Sequence, residues 1–377
     1  MFVYDLAVPP LPFAPRPFSD ELLLSWLCRL AAANHVRLSG FFPEVQTMNR
    51  YRLNCDPGEE IIARLAAMAR LPQSALHRLL LPNQFPNLSL LSFLRVPKPS
   101  VVSSHEDPSD SISLPFCSDC AGEGEHTHRS LYWQAEAGLF TTLLCQRHGT
   151  PVGRYCPGCN RSPLTLAWNQ THPIVRCLRC DWRPVTPPKR KPVSSNPLGS
   201  LQLLFRLQCD IVAALRDQAP SSFWCGPITA VQFLRVVDDL YWLLRTPGLS
   251  ALCGKKFTFT EGFAWTSSYR DSRTLFNRTQ YLPFSAWDIL SRAELLVAIA
   301  TTMLGTRAFG TLGRKPYYPE EPTACYPWDW IMPSMRKTSA QELMRRVAEW
   351  PLAMRLPVTI TGGQLARSGL FANDSAS

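Results

Sequence analysis

The chain is short of acid, short of long apolar runs and short of catalytic signatures. Its 377 residues hold 29 Asp and Glu against 39 Lys and Arg, for a net charge of +10. The longest apolar stretch, Leu295 to Leu304, falls well below the ~20 residues that a membrane-spanning helix needs. The start, Met1-Phe-Val-Tyr-Asp followed by Pro9, Pro10, Pro12, Pro15 and Pro17, has neither a basic opening nor an unbroken apolar segment, which argues against a secretory leader. No G-x-x-x-x-G-K-[ST] phosphate loop or G-x-S-x-G elbow occurs, and no H-x-E stands ahead of a P-C-x-x-C as zinc deaminases require. The expectation is a cytoplasmic protein with no membrane partner and no enzymatic activity.

Cysteine, by contrast, is plentiful and patterned. Of thirteen, seven join one histidine in four C-x-x-C or C-x-x-H pairs: Cys117/Cys120, Cys145/His148, Cys156/Cys159 and Cys177/Cys180. A two-residue gap lets both donors of a tight turn reach one ion at about 2.3 Å, and two such knuckles complete a tetrahedral shell. The last two pairs have zinc-ribbon spacing. The first two are more widely separated but again set knuckle against knuckle. Two structural Zn2+ ions are expected, with an iron–sulfur cluster as the alternative metal. Sequential grouping is the simpler arrangement; a cross-braced one, in which Cys145/His148 and Cys156/Cys159 share an ion, stays open. His126 or His128 could replace a ligand, although a solvent-facing loop suits them better. Four protein donors per ion leave no open position for catalysis. The remaining cysteines (Cys28, Cys55, Cys209, Cys225, Cys253 and Cys325) stand singly in mostly apolar surroundings, as reduced core thiols do.

Charge is distributed as unevenly as cysteine. From Cys145 to Lys191 there are nine basic residues and a single acid, Asp181, whereas Glu106 to Glu136 holds seven acids against Arg129. A basic segment of this kind can meet phosphate and an acidic one is repelled by it. Arg176, Arg179, Arg183, Lys189, Arg190 and Lys191 are therefore the candidate contacts to nucleic acid or a partner. Tyr132 and Trp133 could stack on a base, but filling the core of the first small lobe is the more economical role. Asp238-Asp239 and Glu320-Glu321 are adjacent acids whose side chains diverge on a helix, and they read as solvated surface.

The organisation that follows is mostly α with small zinc-ribbon β elements. Residues 1–96 form an N-terminal helical module: a Pro-rich arm, a helix opened by Ser19 with Asp20 and Glu21 at its positive end, and a pattern from Glu59 to Arg70 that halts at Leu71-Pro72 and resumes at Ser74. Helix, short turn, helix fits a helix-turn-helix or an ordinary hairpin equally. Residues 97–115 read as a linker, 116–155 as the first zinc-binding lobe, 156–182 as the second zinc ribbon, and 183–199 as a basic Pro-rich linker. Residues 200–370 form a C-terminal helical domain, with helix-period stretches at 200–217, 228–245 and 286–304. Pro227 suits a first turn, and Ser285 with Asp288 and Ser339 with Glu342 fit capping boxes. Residues 371–377 form a flexible tail.

These residues, in this order, resemble the TniQ/TnsD family of transposition target-selection proteins. The likeness begins with the Pro-rich arm and Ser25-Trp-Leu-Cys-Arg-Leu-Ala-Ala, and continues through Leu65-Ala, Leu71-Pro72 and Leu76 to Cys117-x-x-Cys120. Its most telling part is Tyr132-Trp133 with Cys145-Gln-Arg-His148-Gly-Thr-Pro-Val and Cys156-Pro-Gly-Cys159. The resemblance implies a non-enzymatic adaptor in DNA transposition. Such an adaptor links a target-bound complex, in RNA-guided systems a CRISPR Cascade effector with its crRNA and target DNA, to a TnsC-like AAA+ regulator. It also implies a homodimer. The alternative is a sequence-specific DNA-binding protein that recognises its target directly. Two departures from the family pattern stand out: Cys117 is not followed by proline, and the C-terminal half has no sharp DNA-reading signature.

Overall fold

The computed structural model describes residues 10–36, 38, 42, 50–94, 116–127, 131–153, 156, 159, 164–169, 172–177, 179–183, 200–221, 224, 228–244 and, of the next stretch, 292–293, 295–297, 299–300 and 303. Both linkers (but for Arg183), the tail, Pro227, the two capping boxes beyond residue 284, and Glu320-Glu321 lie outside these residues. The chain divides into two compact units. Met1–Ser89, Leu94–Ser195 and Gly262–Thr266 form the first; Leu90–Phe93, Asn196–Glu261 and Ser267–Ser377 form the second.

In the first unit α1 (Leu23–Ala33) is the central element, buried along Leu23 to Ala31. Such all-round burial needs neighbours on every side, supplied by α2 (Arg50–Cys55) and the hairpin strand β1 (Leu164–Asn169) among others. Each fully buried leucine contributes about 1.5–3 kcal/mol by leaving water, and Leu22, Leu23, Leu24, Leu27 and Leu30 all do so. The helix starts three residues later than the Ser19 signal suggests. Its N-cap is Leu22, which makes no side-chain cap, because Asp20 and Glu21 are used elsewhere.

The second helical pattern becomes α3 (Glu59–Ala69), with Glu59 and Glu60 in its first turn. They complement the positive end of the helix dipole. Arg70 adopts a left-handed conformation and ends it, and α4 (Gln73–His77) follows from Pro72. The helix, turn, helix outline is therefore present, but α4 has five residues and buries Ala75 and Leu76. A helix of one and a half turns is too short to lie along a major groove as a reading helix does. The short α5 (Leu81–Gln84) packs against the turn at Ala135–Gly138. A Cβ on Gly138 would stand 3.0 Å from Leu22 Cδ2 and 3.2 Å from Leu81 Cδ2, so glycine permits that approach.

The Pro-rich arm is held antiparallel to α1 by side chains, since proline-rich backbone cannot enter a regular ladder. Leu11 N–H donates to Met68 O. Asn34 brackets Phe13, accepting from its N–H at 3.2 Å and donating to its carbonyl at 2.6 Å. Trp26 Nε1–H donates to Pro15 O at 2.8 Å, and Arg29 donates to Arg16 O at 3.2 Å.

In the second unit α7 (Ser200–Leu215) packs on α8 (Ala230–Leu244). Leu204, Leu207, Ile211 and Leu215 face inward from one, and Phe233, Val237, Leu240 and Tyr241 from the other, at the spacing of a helical stripe. Thr229 and Gln232 exchange hydrogen bonds at the start of α8, a capping box. Asp210 accepts from Ser221 N–H, Ser221 Oγ and Trp224 Nε1 at 2.8, 2.7 and 2.6 Å, fixing the turn after α7. Asp238 is not solvated surface: it accepts from Ser92 N–H and Oγ at 2.7 and 2.8 Å, and burial raises its pKa. The described residues between 292 and 303 are helical and buried. Among the described residues no helix is long and apolar enough to cross a membrane.

Candidate metal centres

Eight donor residues converge in two sequential groups, Cys117, Cys120, Cys145 and His148 in one and Cys156, Cys159, Cys177 and Cys180 in the other, with the ligand atoms of each within 4.8 Å of one another. The arrangement is not cross-braced. His128 and the side chain of His126 lie outside the described residues.

Local backbone geometry explains the convergence. Cys117 stands just before α6 (Ser118–Thr127) and Cys120 on its first turn, where Ala121 N–H donates to Cys117 O. Phe116 and Gly153 exchange both backbone hydrogen bonds and Leu144 bridges Pro151, which brings the second knuckle opposite. There Gly149 N–H donates to Cys145 O and Cys145 N–H to Thr150 O, both at 2.7 Å, with Gly149 at φ +66°. A left-handed residue closes that turn, and glycine takes the conformation freely.

The second centre repeats the device. Its antiparallel hairpin, β1 with β2 (His172–Cys177), pairs Leu164 with Cys177 and Asn169 with His172. Asp181 N–H donates to Cys177 O at 2.9 Å and Cys177 N–H to Trp182 O at 3.0 Å. Asp181, at φ +52°, takes the place of Gly149, a conformation aspartate tolerates better than most residues.

The donors fit zinc. A tetrahedral ion with arms near 2.3 Å to sulfur and 2.0 Å to nitrogen sets S···S edges of about 3.8 Å and S···N edges of about 3.5 Å. Cys120 and Cys145 sulfurs are 3.6 Å apart, and Nδ1 of His148 lies 3.4, 3.3 and 3.6 Å from the sulfurs of Cys117, Cys120 and Cys145. In the second group Cys156 to Cys180 is 3.5 Å and Cys159 to Cys177 is 3.7 Å. Ions in both would be structural, since every position is taken by the protein.

The two centres are supported differently. His148 turns Nδ1 inward while Nε2 meets Glu123 Oε1 at 3.0 Å, so Nε2–H donates to the carboxylate and Nδ1 keeps its lone pair for metal. Arg147 Nη2 holds the other Glu123 oxygen at 2.8 Å. Thr150 Oγ1 lies 3.3 Å from the Cys117 sulfur and 3.2 Å from Asp119 Oδ2. Hydrogen bonds from Cys117 and Cys120, joined by the backbone N–H groups of His148 and Arg147, pull the Cys145 thiol down to about 3. This leaves thiolate ready for a cation. At the second centre the arginines Arg176 and Arg183 stand 3.9 and 3.6 Å from Asp181, the pairs partly exposed. Arg179 and Cys180 are exposed. Of the candidate contacts these three arginines are thus placed around one knuckle, while Lys189, Arg190 and Lys191 lie outside the described residues.

One buried arrangement has no counterpart in the sequence reading. Glu21 is fully buried and accepts from Arg29 Nη1 at 2.6 Å, Ser25 Oγ at 2.9 Å and Phe18 N–H at 3.1 Å. Ser25 Oγ in turn accepts from Trp133 N–H at 2.9 Å. Leu22 N–H donates to Trp133 O and Ala135 N–H to Asp20 O. The Asp20 carboxylate receives Tyr132 OH and Gln134 Nε2, both at 2.9 Å. Tyr132 stacks on Phe18 with ring centres 4.3 Å apart, so Tyr132 and the Trp133 backbone tie the first lobe to the arm and α1, while the Trp133 side chain is buried.

Residues 12–152 match the family model TniQ. The chain carries a TniQ domain. Its bounds take in the arm from Pro12 onward, α1, the buried Glu21–Arg29 network and the whole first metal group, and end before Cys156. A TniQ domain indicates a transposition-associated target-selection protein. No curated protein matches the chain.

Proposed function

We propose that this protein is a non-enzymatic target-selection adaptor in DNA transposition, joining a target-bound complex to a TnsC-like AAA+ regulator. The observation that carries the reading is the TniQ domain itself, riveted to its first metal group through Glu21, Ser25 and Trp133. Four protein donors at each metal position leave no place for a substrate, which suits a scaffold. An RNA-guided Cascade effector carrying crRNA and target DNA is the proposed target-bound complex, and a homodimer the proposed state in the bacterial cytoplasm. Affinity purification of the tagged, zinc-loaded protein, co-expressed with the candidate AAA+ regulator and effector complex, tests this. Stable recovery of both partners with weak binding to bare duplex supports the adaptor. Light scattering reads the oligomer.

Direct DNA recognition is the second reading, favoured by Arg176, Arg179 and Arg183 around the exposed knuckle of the second centre. It requires tight, salt-dependent binding to one duplex by the protein alone.

A further inference from the structure

We propose that Cys180 is a modification site for peroxide-class oxidants, through which the second metal centre opens while the first stays closed. Access separates the two centres. In the first, Cys117 and Cys145 are buried, Cys120 is partly covered, and the His148 side chain is 1% exposed and backed by Glu123. In the second, Cys156 and Cys177 are buried and Cys159 is partly covered, but Cys180 is exposed at the rim. Peroxide must approach a thiolate along the line of its O–O bond, and an exposed sulfur admits that line. Arg179 is exposed beside it, and Arg176 and Arg183 stand at the same knuckle.

The chemistry balances with peroxide as the oxidant. The Cys180 thiolate attacks one peroxide oxygen, the O–O bond breaks, and hydroxide leaves with Cys180 as the sulfenic acid. The Cys156 sulfur, 3.5 Å away, attacks the sulfenic sulfur and expels a second hydroxide. Two thiolates have given up two electrons to one peroxide, and a Cys156–Cys180 disulfide remains. An ion held by this group would be left with Cys159 and Cys177 as its remaining donors. A thiol reductant and zinc reverse the change. The hairpin and its three arginines would lose their frame in the same step. None of this depends on what the protein recruits.

The test uses the full-length zinc-loaded protein, with peroxide added in limiting amounts. Released zinc is followed with a chromogenic chelator, and cysteines are mapped after alkylation. Trypsin cuts after Arg154, Arg161, Arg176 and Arg179, so Cys180 opens a peptide separate from Cys177 and from the Cys156/Cys159 pair. The expected result is release of one of two zinc equivalents with loss of two thiols and a link from the Cys180 peptide to Cys156. Cys180→His, which keeps a fourth donor without a thiol, should retain both ions under the same dose. Simultaneous release of both ions, a first crosslink among Cys117, Cys120 and Cys145, a link that omits Cys180, or fewer than two zinc equivalents before oxidation would overturn the proposal.

Discussion

Replacing Arg29 with methionine probes the buried junction most directly. Methionine keeps much of the volume and removes the charge. Glu21 is then left fully buried with Ser25 Oγ and the Phe18 N–H as its remaining donors. Breaking one side of a buried pair costs about 3–5 kcal/mol. The bond to Arg16 O at 3.2 Å adds about 1 kcal/mol. The guanidinium 4.4 Å above the Phe18 ring contributes about 0.5–2 kcal/mol. These overlap, so the upper end of the first range is the expected loss at neutral pH. Burial raises the Glu21 pKa, and the Arg29 charge is the largest influence opposing that rise. Without Arg29 the folded-state value climbs further. A carboxyl with a raised folded value contributes most below its unfolded value, and that contribution is lost as pH rises through the folded value. The deficit of Arg29→Met should thus be smallest near pH 5 and grow toward pH 7. Urea unfolding of both zinc-loaded proteins at the two pH values measures it. Hydrogen exchange at the Leu22 and Ala135 amides reports the junction itself. A loss under about 1 kcal/mol at pH 7, below any broken buried pair, or an equal loss at both pH values, would refute the reasoning. The double variant Glu21→Gln/Arg29→Met removes both charges and should recover part of the loss.

Three other outcomes are expected. Glu123→Gln, which withdraws the carboxylate from His148 Nε2, should weaken zinc at the first centre about 10–100-fold, read by chelator competition with the second ion unchanged. Gly138→Ala forces a methyl to 3.0 Å from Leu22 and should cost about 1–3 kcal/mol as overpacking does, seen as a lower urea midpoint. Asp210→Asn turns one of two accepting oxygens into a donor facing Ser221 Oγ and Trp224 Nε1, costing about 1–3 kcal/mol and changing the emission of Trp224.

The eight ligands were legible because metal knuckles are short-range: each pair is set by a turn of four residues, and donor identity is written in the residue type. What supports them was not. Glu123 lies 25 positions before His148, and nothing local marks one acid among seven as its partner. Asp238 reads as solvated because its neighbour is also acidic, yet Ser92, 146 positions away, donates two hydrogen bonds to it. Thr229-x-x-Gln232 has the same capping-box spacing as Ser285 with Asp288 and Ser339 with Glu342. The misplaced start of α1 has a different cause. Ser19, Asp20 and Glu21 form a good local capping signal, but a charge-assisted bond to Arg29 and the fit of Asp20 between Tyr132 and Gln134 outweigh about 1 kcal/mol of cap.

That same competition explains why the family pattern spans the distance it does. Ser25, Trp26 and Arg29 lie on α1, and Tyr132 and Trp133 lie over a hundred positions later, so no helix propensity links them. The hydrogen bonds do: Trp133 N–H to Ser25, Ser25 to Glu21, Arg29 to Glu21 and to the arm, Trp26 to the arm. Each donor has one geometry that satisfies it in a dry setting, and a buried group left unpaired costs about 1–3 kcal/mol. The arm, α1 and the first metal group therefore form one mechanical piece, and the TniQ match over residues 12–152 coincides with it. The second metal group repeats the knuckle geometry beyond that boundary, with Asp181 standing where the first has Gly149. Its exposed Cys180 and surrounding arginines differ from the shielded first centre, and that difference is where regulation or contact can vary without disturbing the riveted core.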